Sequence, residues 1–166
     1  MNGLLAAIFW TSTLVNGEIL SLDGVTSNPL SEFYSVGYGR LDFQKEDIGQ
    51  ELQYTKSHAM SYGTLGSISS LSLTDDGGFW VGHGFYNELT AYNKATIGFS
   101  FVPGVYVKGR EVDLGGWLMF RSGIEFVFPL SKKKSISFSY DHRSSGDIWP
   151  FNPGLETWHV RFRTAL

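Results

Sequence analysis

The sequence predicts an all-β fold: a single eight-stranded antiparallel up-and-down transmembrane β-barrel of outer-membrane type. Three observations predict it. From about residue 33 onward the chain is a succession of segments in which apolar and polar side chains alternate, and alternation sends successive side chains to opposite faces of a strand. The connections between segments are longer at one end of the sheet than at the other, the plan of an even-stranded barrel with short turns on one side of a membrane and long loops on the other. The apolar positions are filled with large residues, among them 13 Phe, 8 Tyr and 5 Trp, which crowd the strand ends as aromatic girdles do.

The N-terminal stretch LLAAIFWTSTLV resembles the apolar part of a signal peptide, but Met1 to Gly3 carry no lysine or arginine. Residues 1–30 are therefore read as a signal peptide, with about 1–17 as the cleaved part, or as a short N-terminal helix or arm, and residues 31–166 as one barrel domain. Strands are expected at about 33–41, 48–57, 63–73, 79–90, 95–107, 117–128, 134–143 and 155–165. KED near residue 46, TDDGG at 74–78, KGREVDLGG at 108–116 and SGDIWPFNPG at 145–154 connect them at one end; SHAMS at 57–61, AYNK and PLSKK connect them at the other. The sixth strand alternates most clearly. Leu118, Phe120, Ile124, Phe126 and Phe128 face one way, and Arg121, Gly123 and Glu125 the other. Asp141, Arg161 and Arg163 repeat this pattern, so arginines and acids are expected to pair inside a barrel of this strand number, whose interior side chains just fill. The third strand is weaker, since Leu65, Leu71 and Leu73 share a face that Ile68 breaks. A soluble lipocalin-like barrel, with its apolar face turned inward around a ligand, stays open on this evidence.

A net charge of −3 gives no sign of a nucleic-acid partner. The absence of cysteine excludes disulfides, a thiolate nucleophile and cysteine-ligated metal. No apolar run approaches the roughly 20 residues of a spanning helix, so strands would have to cross the membrane. No cofactor or metal is expected, and association of two copies is left open.

The chemistry concentrates in the last hairpin. Ile136, Phe138, Tyr140, His142 and Ser144 share one face of the seventh strand, and Glu156, Trp158, Val160 and Phe162 share one face of the eighth. A serine hydroxyl is a weak nucleophile until a base takes its proton, and an imidazole does so best when a carboxylate orients it. His142 and Ser144 lie about 7 Å apart at Cα, and Glu156 lies across the hairpin within reach of either. If Ser144 pairs near Glu156, His142 pairs near Trp158. Polar groups on the outward face of a membrane barrel are penalised according to depth, so their presence calls for a reason.

The segment DHRSSGDIWPFNPGLE resembles the C-terminal signature of the PagL lipid A deacylases, also grouped under acyloxyacyl hydrolase names, which occur in Gram-negative outer membranes. The specific likeness covers about the last 25 residues. It implies that His142 is the base, Ser144 the nucleophile, Glu156 the carboxylate that orients the base, and Asn152 a contributor to the oxyanion hole. Backbone N–H groups near Ser145 and Gly146 would complete that hole. The residue after the nucleophile is usually Asn in the family and is Ser145 here, which removes a side-chain amide from that position. The last residue is Leu166 rather than an aromatic. The resemblance further implies lipid A of lipopolysaccharide as substrate, cleavage at the 3-position, and a site on the lipid-facing wall toward the extracellular leaflet. Lys108 and Arg110 lie at the same end of the barrel and are candidate ligands for lipid phosphates. His58, His83 and His159 are isolated in sequence and read as structural or exposed; Asp75 and Asp76 read as turn residues. The rival readings are a catalytically silent membrane barrel, structural or adhesive, and a soluble lipid-binding barrel.

Overall fold

The structure, a computed structural model, describes residues 25–27, 32–62, 65–91, 96–110 and 112–166. The leader or arm expected over residues 1–30 lies outside the described residues except for Val25–Ser27, a short strand paired with Leu89–Ala91. The barrel strands are β1 (Phe33–Phe43), β2 (Glu46–Tyr62), β3 (Leu65–Thr74), β4 (Phe79–Ala91), β5 (Thr96–Val107), β6 (Leu118–Pro129), β7 (Lys134–Ser144) and β8 (Leu155–Ala165). Each pairs antiparallel with its neighbour in sequence. β8 then closes on β1 from Phe33↔Ala165 to Asp42↔Glu156. Among the described residues closure leaves no barrel strand with an unpaired long edge.

Two connections differ from the sequence reading. The SHAMS segment is strand, because β2 runs on to Tyr62 with a register irregularity between His58 and Ser61. The turn near residue 46 is a tight one at Gln44 and Lys45, both at positive φ, the conformation that joins twisted hairpin strands most directly.

The barrel is polar inside and apolar outside, which overturns the lipocalin-like alternative. Outward-facing Tyr38, Leu52, Phe126, Phe138, Trp158 and Phe162 are each about half exposed or more, far beyond the apolar surface a monomer leaves to water. Inside, Glu51 is paired with Arg121 at 2.6 Å and with Arg143, and Asp141 with Arg161 at 2.6 Å and Arg121 at 3.4 Å. His159 bridges the two carboxylates, with Nδ1 3.1 Å from Asp141 and Nε2 3.2 Å from Glu51. Lower in the barrel, Arg163 meets Glu88 at 2.7 Å and stands over the Phe33 ring. Ile68 is an interior residue of this core rather than a fault in the outer face.

At the long-loop end the interior turns apolar. Leu41, Trp80, Tyr106, Leu114, Met119 and Leu155 are buried together there, and the guanidinium groups of Arg121 and Arg143 lie over the Trp80 ring from below. This plug supports the two long loops from inside, and with them the ends of β7 and β8.

Candidate functional site

His142 and Glu156 face each other directly across β7 and β8. The register is therefore shifted from the pairing considered above: Trp158 lies opposite Tyr140, and Glu156 opposite His142. His142 Nδ1 is 3.2 Å from Glu156 Oε1, with side-chain exposures of 22% and 31%. A carboxylate on Nδ1 selects the tautomer that carries its proton there and leaves Nε2 free to accept one. Ser144 is two residues further along the same face, with no hydrogen bond joining its hydroxyl to the ring, and it is almost fully covered. It lies opposite Phe120 of β6.

The strand segment bearing these groups is clamped from the interior. Asp141 and Arg143 flank His142 and point inward, each into the charge network, with Arg143 bonded to Glu51 and Asp141 to Arg161. Every second residue is thus anchored inside while the residues between them are presented outside.

The β7–β8 loop folds back over the site. Gly146 and Asp147 adopt left-handed φ values of 63° and 64°, and the Ser145 carbonyl accepts from Ile148 N–H. Asn152 bridges the loop: its Oδ1 accepts from Ser145 N–H at 2.8 Å, and its Nδ2 donates to Asp147 Oδ1 at 2.9 Å. The Ser145 N–H is therefore already engaged, whereas Asn152 keeps a second amide hydrogen. The Ser145 side chain is fully buried.

Gly154, at φ 76°, closes the loop against the imidazole. A Cβ there would lie 2.8 Å from His142 Cε1, so the residue before β8 must be small as well as left-handed. Gly115 and Gly116 of the β5–β6 loop are pressed in the same way against the Phe151 carbonyl and the Trp149 indole. The sequence reading missed Gly154, Asp147 and the Glu51–Arg143 clamp. The Pro-Gly preceding β8 was a local signal for the first of these.

Lys108 and Arg110 lie on the β5–β6 loop, paired with Asp113 at 2.9 Å and Asp76 at 3.6 Å. The hydrogen bond from Lys108 holds the Asp113 carboxyl below the usual carboxylate range, helped by Gly115 N–H. The three histidines isolated in sequence take structural or exposed positions. His58 and His83 meet through Ser69, each 2.9 Å from its hydroxyl, and His159 sits in the interior network.

A family model described as Lipid A 3-O-deacylase (PagL) matches residues 33–165, the whole of the barrel. The structure is similar to the crystal structure of the outer membrane enzyme PagL, with a TM-score of 0.65 and 14% identity over 81% of this chain and 99% of that one. It is also similar to the backbone structure of the Yersinia pestis outer membrane protein Ail in a phospholipid bilayer nanodisc, with a TM-score of 0.47 and 12% identity over 81% and 99%. No curated protein matches it. At such identities the structural likeness establishes the barrel fold, and the family rests on the match along the sequence: the chain belongs to the PagL family of lipid A 3-O-deacylases.

Proposed function

We propose that this protein is an outer-membrane serine esterase that removes an ester-linked acyl chain, the 3-O chain, from lipid A of lipopolysaccharide. The observation that carries the reading is the 3.2 Å contact of His142 with Glu156, one outward position from Ser144 on the apolar wall. Family membership supplies the substrate class. A lipid lying in the outer leaflet approaches such a site sideways, with its acyl chains still in hydrocarbon.

Ser144 Oγ attacks the acyl carbonyl while its proton passes to His142 Nε2. Glu156 holds the ring and offsets the charge that forms on it. The oxyanion is met by the Gly146 N–H and the second amide hydrogen of Asn152, which is held in place by Asp147. Collapse breaks the C–O bond and returns the proton from His142 to the departing sugar hydroxyl. A water then repeats the cycle on the acyl-serine and frees the fatty acid. Lys108 and Arg110 are assigned to phosphate contacts at the loop rim.

A fluorophosphonate probe tests the nucleophile. Detergent-refolded protein is expected to gain one probe mass on the peptide containing Ser144, and Ser144→Ala to gain none. Labelling that persists in Ser144→Ala would refute the assignment.

A further inference from the structure

The outward side chains beneath the proposed site form an ordered grid on three neighbouring strands. The first row across β7, β8 and β1 is His142, Glu156 and Asp42; the second is Tyr140, Trp158 and Arg40; the third is Phe138, Val160 and Tyr38. Chemistry thus occupies the top row, a cation beside two large aromatics the middle row, and purely lipid-compatible residues the bottom row. The lower rows, with Phe126, wall a groove of about 440 Å³ that has Arg40, Asp47 and Gln50 at one end.

Arg40 is an outward-facing cation near the long-loop end of β1, beside the large aromatics of its row. A cationic side chain on a lipid-facing wall is tolerated near the interface and costs about 2–4 kcal/mol at the midplane. Its side chain is 57% exposed and held by Asp42 Oδ2 at 2.8 Å, with Asp47 3.9 Å away. Asp42 is in turn the row neighbour of Glu156. From His142 to Arg40 is about 10 Å across two strand spacings and about 7 Å along them, a span that the arginine side chain shortens. A guanidinium fork matches a phosphate better than any other side chain does.

We infer that Arg40 is a specificity-determining residue that binds the phosphate monoester of the lipid whose ester lies at Ser144, while an acyl chain of that lipid fills the groove below. The site selects an anionic amphiphile, and Asp42 keeps the guanidinium aimed at it until the phosphate takes its place. Lys108 and Arg110 lie on the β5–β6 loop outside this grid, so Arg40 is the cation beside the bound chain. The identity of the ligand rests on the esterase reading above; the demand for an anionic group next to an acyl chain rests on the grid.

The test compares binding of lipid A and chemically dephosphorylated lipid A to the detergent-refolded protein and to Arg40→Gln, each checked for heat-modifiable gel mobility. Arg40→Gln is expected to weaken lipid A binding about tenfold and to leave the dephosphorylated lipid within about twofold of the parent, with Arg40→Lys intermediate. Equal losses for both lipids, or no loss for either, would overturn the inference. Inorganic phosphate at the same concentration is expected to leave lipid A bound; displacement by it would overturn the joint reading of phosphate and chain. Hydrolysis of a neutral acyl ester by the parent protein tests the esterase reading separately, because Arg40 has no role in holding such a substrate.

Discussion

His142 and Glu156 are direct cross-strand partners on the outer wall of the barrel, their Nδ1 and Oε1 3.2 Å apart, at the point where β7 and β8 leave the sheet. A pair fixed by sheet register does not depend on loop conformation. Glu156→Gln keeps the side-chain volume and removes the charge that favours the proton on Nδ1. It is expected to lower kcat for ester hydrolysis about 10²–10⁴-fold with little change in KM. Steady-state kinetics on a detergent-solubilised acyl ester checks this, and unchanged kcat would remove Glu156 from the mechanism.

Gly154→Ala places a methyl group 2.8 Å from His142 Cε1 on a backbone at φ 76°. Both effects act at the ring, while the barrel strands are untouched. About a 100-fold loss of kcat is expected, since small misplacements of a catalytic group cost this much, with normal heat-modifiable mobility. Full activity in a folded variant would show that the imidazole has room to move.

Asn152→Ala removes the acceptor for Ser145 N–H and the donor to Asp147. The expected loss in kcat is about 10²–10³-fold, the range for one oxyanion donor. Asp147→Asn tests the indirect part, because it acts only through Asn152, and about a tenfold loss is expected there. A loss for Asp147→Asn equal to that for Asn152→Ala would make the amide purely a loop brace.

Glu51→Ala leaves Arg121 and Arg143 facing each other in the barrel without their shared carboxylate. Breaking a buried pair by removing one partner costs about 3–5 kcal/mol. A lowered urea midpoint for the refolded barrel is expected, together with slower hydrolysis, because Arg143 anchors the strand between His142 and Ser144. An unchanged midpoint would contradict the clamp.

The eight strands were legible because alternation and residue size are written locally: Phe120, Ile124 and Phe126 alternate with Arg121, Gly123 and Glu125, and the structure keeps that division. Alternation alone looks the same for a solvated sandwich, and it was the size of the outward residues that pointed to a barrel with Arg121, Arg161 and Arg163 inside, where the structure has them. The register of the last hairpin was open within one pair of residues, and a ten-residue loop holds too many conformations for sequence to choose between Glu156 opposite Ser144 and Glu156 opposite His142. The meeting of Glu51 with Arg143 and of His58 with His83 through Ser69 was hidden for a different reason. Each depends on pairings between strands far apart in sequence or on an unpredicted continuation of β2 past residue 57.

Lipid A deacylation by Ser144 is most directly tested by mass spectrometry of lipid A after incubation with the detergent-refolded protein, run beside Ser144→Ala. Loss of a single ester-linked acyl chain, with the matching free fatty acid, is expected for the parent, and intact lipid A for the variant. Intact lipid A with a folded parent barrel, or equal deacylation by Ser144→Ala, would contradict that role for Ser144.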